Sequence, residues 1–261
     1  MDARSYPTTP RRRWLATGLL VLATVACHTT PVTGRKSFNL YLPEDDVQIG
    51  REAYAQVLAE AKVVQSGPEK EMVQRAMTRL TAVADDPGYE WQVNLLDDDA
   101  TVNAFALPGG KMAVYTGILP VCGSETGLAV VMGHEIGHVV AQHGTERISS
   151  SLGMETFLSY LNIGDYASLA TIGLDLLVNR PFGRKQESEA DEIGLIYMAM
   201  AGYDPREAIT FWERMESQSG GQAPPEFLST HPSHETRVQR LKEKLPEAMA
   251  KWREAGGGAS P

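Results

Sequence analysis

The chain has 261 residues, of which 43% are hydrophobic and 22% charged, and its formal net charge is −9. That composition suits one sizeable buried core and excludes a disordered chain, and the acidic balance excludes recognition of a phosphate backbone, so nucleic acid is not an expected partner. Two cysteines are too few for a disulfide-stapled scaffold.

The first 27 residues read as a signal peptide. Arg11, Arg12 and Arg13 precede an apolar run from Trp14 to Ala26 that is too short, and too interrupted by Thr and Gly, to cross a membrane comfortably. The basic stretch fits twin-arginine export or a plain basic leader. The run ends Thr24-Val25-Ala26-Cys27, a small residue before a cysteine, as where bacterial lipoproteins are cleaved and acylated; Thr24 stands where leucine is usual, and ordinary cleavage after Ala26 is the alternative. The expected location is the periplasmic face of a bacterial outer membrane, held by lipid on Cys27, with a soluble periplasmic or secreted protein as the alternative. Without residues 1–27 the chain keeps 20 basic and 32 acidic residues, a net charge of −12, so any membrane contact is expected through acyl chains and not through charge.

Residues 28–42 are polar and Pro/Gly-punctuated, a tether or a wrapping arm. One domain is expected over 43–254, with a disordered Gly-rich tail over 255–261. The acidic turn Pro43-Glu44-Asp45-Asp46 opens a helix to about Ala61 with Ile49, Ala53, Val57 and Leu58 on its apolar side. After Ser66-Gly67-Pro68, the spacing of Met72, Val73, Ala76, Met77 and Leu80 predicts a second helix. Strands are predicted over Tyr89–Leu96, Thr101–Leu107 and Lys111–Tyr115, the last two joined by Pro108-Gly109-Gly110. Asn103, Ala104 and Phe105, with Ala106, are the candidate edge for an extended peptide substrate, with a buried hairpin as the alternative.

The centre of the sequence is Gly133-His134-Glu135-Ile136-Gly137-His138. On a helix, histidines four apart project from one face with Glu135 leaning to the same side, which suits one zinc ion and the base that deprotonates its water. Leu128, Met132, Ile136, Val139 and Val140 predict a helix from about 124 to 143, capped by Ser124 and stopped by Gly144, that packs on one face and is free for chemistry on the other. Residues 145–180, apolar but broken by Ser, Gly and Asn, read either as one or two short helices over the site or as a core helical hairpin.

The third ligand cannot follow the metzincin pattern, because Ala141 and Gly144 occupy the positions that pattern gives to glycine and histidine. His143 would fall off the ligand face, as an outer contact or a surface group. Glu187 and Asp191, four apart on a later helix, share a face while Glu189 points away. Glu187 completes two histidines and one glutamate and leaves a fourth position for water; Asp191 then accepts from the outer nitrogen of a ligand histidine. After a Gly/Pro/Gln linker, Pro232 holds His231 extended, either to stabilise the oxyanion, to occupy the open zinc position at rest, or to cap a helix. Arg237 is expected to pair with Glu187 and Asp191. Cys122 is given no catalytic role.

Together His134-Glu135-Ile136-Gly137-His138, Glu187-x-x-x-Asp191, Thr230-His231-Pro232, Asn103–Gly110 and Pro31-Val32-Thr33-Gly34-Arg35 resemble the M48 zinc metallopeptidases. That family includes bacterial periplasmic lipoprotein peptidases, a mitochondrial-inner-membrane quality-control protease and the CAAX prenyl protease; without several hydrophobic spans, this chain is most similar to the lipoprotein-type branch. The resemblance implies an α+β, mostly helical gluzincin fold with a small sheet beside the motif helix, one zinc per chain, and endopeptidase activity on unfolded or misassembled envelope polypeptides. The reading of the residues agrees: Glu135 takes the proton of the zinc-bound water and passes it to the leaving amine, and His231 is the candidate stabiliser of the oxyanion. A binding or chaperone-like envelope protein with a structural or shut zinc site is the alternative function. No motif specifies the substrate, the cleavage preference or the oligomeric state.

Overall fold

The computed structural model describes residues 27–38, 42–217, 225–231 and 236–258. The leader with Thr24, most of the Ser217–Pro225 linker, Pro232, His234 and the last three residues lie outside them. Helix α1 (Pro43–Glu60) starts on a proline that needs no hydrogen-bond acceptor, with Glu44, Asp45 and Asp46 against the positive end of its dipole. The Asp45 carboxylate also accepts from the Leu42 N–H at 2.9 Å. Helix α2 (Pro68–Thr81) follows Gly67 and buries Val73, Ala76, Met77 and Leu80, four positions of its apolar stripe.

Ahead of α1, β1 (Cys27–Thr29) and β2 (Lys36–Phe38) pair as an antiparallel hairpin. Three strands form the main sheet: β3 (Gln92–Leu96), β4 (Ala104–Leu107) and β5 (Lys111–Tyr115), in the order β3-β5-β4, with β3 parallel and β4 antiparallel to β5. Strand β4 is thus an edge. It is shorter than expected because the Asp98 carboxylate accepts from the Ala100 N–H at 3.0 Å and the Thr101 hydroxyl at 2.7 Å, which turns the chain before Ala104.

After a single turn, α3 (Leu119–Cys122), comes the motif helix α4 (Glu125–Val140), whose Ser124 hydroxyl accepts from the Gly127 N–H at 3.1 Å as the cap expected of it. The far end differs from expectation. Gln142 takes a left-handed conformation (φ 57°) that ends α4 at Val140, and Gly144 lies inside the next helix, α5 (His143–Leu152). Nor is α4 half free, for every residue from Gly127 to Val140 is buried. Residues 145–180 fold as α5, α6 (Met154–Ile163) and α7 (Tyr166–Val178); Phe157, Leu169 and Leu177 pack with Ile49, Phe105 and Leu107 in a second core cluster. The rest is helical: α8 (Arg184–Met200), α9 (Glu207–Ser217), α10 (Glu226–Thr230) and α11 (Arg237–Glu254). The larger cluster joins Leu80, Val114, Leu128, Met132, Ile193, Tyr197, Trp212 and Phe227. The architecture is α+β and mostly helical. Past α11 the Gly257 N–H donates to the Trp252 carbonyl at 2.8 Å; the last three residues of the tail expected from 255 lie outside the described residues. Among the described residues no single helix is long and apolar enough to cross a membrane.

Asp46, fully buried in the first turn of α1, accepts from Thr145, from Tyr89 at 3.1 Å and from Gln142 at 3.4 Å. Burial pushes its carboxyl up to about 7, against the lowering effect of those donors. Between the ordinary value near 3.8 and 7 the folded chain holds a proton that the unfolded chain has lost, so this group's contribution is present at acid pH and lost as pH rises through that window. Asp46→Asn should therefore lose less stability than wild type between pH 4 and 8, by up to about 4 kcal/mol in urea unfolding. Parallel pH profiles would show that Asp46 is ionised throughout.

Candidate metal centre

Helices α4 and α8 cross in backbone contact. A Cβ on Gly137 would lie 2.7 Å from the Ala190 carbonyl oxygen, and one on Gly194 would lie 2.7 Å from the Gly133 carbonyl carbon and the His134 nitrogen. Glycine is required at this crossing because no side chain fits between the helices. The close approach carries His134 and His138 of α4 against Glu187 and Asp191 of α8, and the turn after α10 adds His231.

Five inner distances define the centre. His134 Nε2 lies 3.1 Å from His138 Nε2, 3.5 Å from Glu187 Oε2 and 3.2 Å from His231 Nδ1. Glu187 Oε1 is 3.3 Å from His138 Nε2 and 3.1 Å from His231 Nδ1. Four ligands at the usual zinc distances of about 2.0–2.1 Å in a tetrahedron are separated from one another by about 3.3 Å. The spacing here, and the donor set of three imidazole nitrogens and one carboxylate, fit one zinc ion. The outer nitrogens reinforce the fit. His134 Nδ1 is 2.9 Å from the Asp191 carboxylate, which fixes its proton on that side and leaves Nε2 as a lone pair facing inward.

The charge is balanced from outside. Arg237, itself buried, donates to Asp191 Oδ2 and Glu187 Oε2, both at 2.6 Å, and to the His231 carbonyl at 3.2 Å, with its guanidinium 3.8 Å above the Trp212 ring. Burial would raise the Glu187 carboxyl, but His231, His134 and His138 hold it well below the carboxylate range. Glu135 moves the other way: burial raises its pKa against the pull of His231 and His134. Its Oε2 accepts from the Ala106 N–H of β4 at 2.9 Å, while Oε1 is a buried atom without a hydrogen-bond partner among the described residues, 3.4 Å from His231 Nε2.

The residues read from sequence therefore meet in one place: His134, Glu135, His138, Glu187, Asp191, His231 and Arg237. At His231 the structure has one of the arrangements the sequence left open, and at Asn103 it departs from the expected strand. The fourth corner is taken by His231, held there because the Phe182 N–H bonds to the Thr230 carbonyl, the Phe227 N–H to the Val102 carbonyl, each at 3.0 Å, and Arg237 to His231 itself. Asn103 falls one residue before β4, its amide donating to Glu226 at 3.2 Å; Ala104 and Phe105 lie within the edge strand. Cys122 is buried, and burial pushes its thiol up to about 12, which removes it from chemistry. Of the two readings the sequence left for His143, the structure shows the outer contact, and Glu189, which sequence reasoning only turned away from the ligand face, is its partner. His143 is fully buried with Nδ1 3.0 Å from His138 Nδ1 and Nε2 3.0 Å from Glu189 Oε2. The break at Gln142 rotates His143 back to the ligand side, and nothing in the residue pattern signals that left-handed residue. Phe182, packed on His138 with ring centroids 4.1 Å apart, carries no sequence signal either.

Residues 68–245 match the model of peptidase family M48. The chain belongs to that family. Among M48 relatives it is 36% identical over 256 residues to the mitochondrial metalloendopeptidase OMA1 of Schizosaccharomyces pombe, covering 94% of this chain and 75% of that one. It is 32% identical to human mitochondrial OMA1, covering 89% of this chain and 49% of the relative, and 26% identical to the β-barrel assembly-enhancing protease of Escherichia coli, covering 80% and 46%. It thus spans three quarters of the fission-yeast protein and about half of the other two. M48 membership makes this a zinc metalloendopeptidase centre. The expectation of a periplasmic, outer-membrane lipoprotein is overturned by these comparisons, since the more similar relatives, at 36% and 32% identity against 26%, are mitochondrial proteins. The four-residue leader motif was too weak a signal to fix a compartment.

Proposed function

We propose that the chain cuts unfolded polypeptides internally, with an extended substrate segment laid along β4 and the scissile carbonyl at the donor cluster. The carrying observation is that one buried carboxylate, Glu135, touches both sides of that arrangement: Oε2 on the β4 backbone and Oε1 beside the metal ligands, 3.4 Å from His231 Nε2 and with no hydrogen bond among the described residues. Zinc, when bound, supplies Lewis acidity to the attacking water and the carbonyl. Glu135, with its pKa raised by burial, takes the proton from that water and returns it to the leaving nitrogen. Ala106 offers its N–H to the substrate backbone once Glu135 releases it, and the neighbouring residues Ala104 and Phe105 continue the edge.

A resting state is the second part of the proposal, favoured by the position of His231. With Nδ1 in the donor set, His231 occupies the corner that water needs, and its displacement, together with the turn that carries it, opens the centre. Once displaced, its Nε2 is placed to donate to the developing oxyanion.

The test is casein cleavage followed by mass spectrometry of the fragments. Internal peptides that vanish with a chelator and return with stoichiometric zinc are expected. Release of single amino acids would replace the endopeptidase reading with an exopeptidase, and cleavage indifferent to the chelator would refute it.

A further inference from the structure

The Pro31–Arg35 segment forms the turn of the β1–β2 hairpin, far in sequence from every metal ligand, and the peptidase chemistry above gives it no part. The Thr30 N–H donates to the Arg35 carbonyl at 2.7 Å, closing the turn, while Val32 is held at φ 65°, a conformation a β-branched residue rarely adopts. This turn aims two side chains inward. The Thr33 hydroxyl donates to Glu189 Oε1 at 2.6 Å and Arg35 Nε meets Glu189 Oε2 at 2.5 Å. Arg35 also donates to the Ala141 carbonyl at 3.2 Å, at the point where α4 ends, and to Glu146 at 3.3 Å. From Glu189 the contacts run on to His143 Nε2 and from His143 Nδ1 to His138 Nδ1, each at 3.0 Å.

We propose that Thr33 and Arg35 are positioning residues for the metal: through Glu189 and His143 the N-terminal hairpin sets the ring and tautomer of His138. The Glu189 carboxylate, ion-paired with Arg35 and accepting from Thr33, faces His143 Nε2 as an acceptor, so His143 carries its proton on Nε2 and presents a bare Nδ1; His138 then carries its proton on Nδ1 and turns a lone pair on Nε2 to the ion. His134 has the same support from Asp191 and Arg237 inside the domain, whereas His138 takes its support from the arm. The arm is therefore a clip on one ligand, and its docking is linked to metal retention. This rests on the metallopeptidase reading but is measured without cleavage.

Zinc dissociation constants, obtained by competition with a chromogenic chelator, test it on the full chain. Thr33→Val combined with Arg35→Ala, and His143→Ala separately, should each bind zinc about 10- to 100-fold more weakly than wild type. Arg35→Lys, which keeps the cation beside Glu189, should regain most of the affinity, and Lys36→Ala on the exposed side of the same hairpin should match wild type. Cobalt-substituted protein should show a shifted visible spectrum in the double variant, and saturating zinc should return its casein cleavage. If the double variant unfolds, Thr33→Val alone, which keeps the side-chain volume, should still weaken zinc by about threefold or more. Arm variants within twofold of wild type, in a wild type that binds zinc and cuts casein, overturn the clip alone. A wild type that takes up no zinc overturns the clip and the peptidase reading together.

Discussion

Glu135→Gln should abolish measurable casein cleavage, a loss of at least 10²- to 10⁴-fold in kcat, while zinc content stays near one per chain. The substitution keeps the volume and the oxygen that accepts from Ala106, so the β4 contact and the helix survive. It removes the only buried oxygen at the centre with no hydrogen-bond partner among the described residues that also lies within 3.4 Å of His231. An amide cannot take a proton from water, and no other carboxylate at the centre is free to do so, since Glu187 and Asp191 are both bonded to Arg237. Steady-state cleavage and metal analysis on the same preparation check it. Cleavage retained within tenfold would place the base elsewhere; lost zinc would show that Glu135 acts on the metal's structure and not on the proton.

The second large effect is expected at the helix crossing. Gly137→Ala brings a methyl group to 2.7 Å from the Ala190 carbonyl oxygen and 3.0 Å from its Cα, both backbone atoms that cannot swing aside. Helix propensity alone would favour alanine by about 1 kcal/mol. Overpacking costs about 1–3 kcal/mol, so the crossing must open and the net change is destabilising. Glu187 lies one turn before Ala190 on α8, so opening the crossing draws its carboxylate from the two imidazoles that it now meets at 3.3 and 3.5 Å. A loss of the carboxylate ligand should weaken zinc by about 100-fold or more, a larger effect than on the fold. Thermal unfolding with and without chelator, with zinc titration alongside, separates the two. A variant more stable than wild type with unchanged zinc affinity would mean that the helices already have room between them.

Local chemistry made much of this arrangement readable before any coordinates. Two imidazoles four apart must share a helix face, and two carboxylates four apart must do the same, so His134, His138, Glu187 and Asp191 could be paired from spacing alone. The Lys111–Tyr115 strand, the Pro43 helix start and the Ser124 cap were legible because turn and capping residues state them directly. What was hidden depends on single backbone angles and on distant partners. The left-handed Gln142 turns His143 toward His138, and no side-chain pattern announces such a residue. The Glu189 side chain does leave the ligand face, as periodicity requires, yet it points at a hairpin from the other end of the chain, a contact between residues 156 apart. The full burial of α4 was misread because α8 packs on its histidine face through glycines, which contribute nothing to an apolar stripe.

Zinc stoichiometry and affinity in Glu187→Ala test most directly whether two distant helices enclose one ion. Wild type should hold about one zinc per chain, and the variant should bind it at least about 100-fold more weakly, with casein cleavage lost in parallel. Unchanged zinc content in Glu187→Ala would contradict the account, since α8 would then contribute no ligand and the meeting of His134, His138 and Glu187 would have no bearing on the metal.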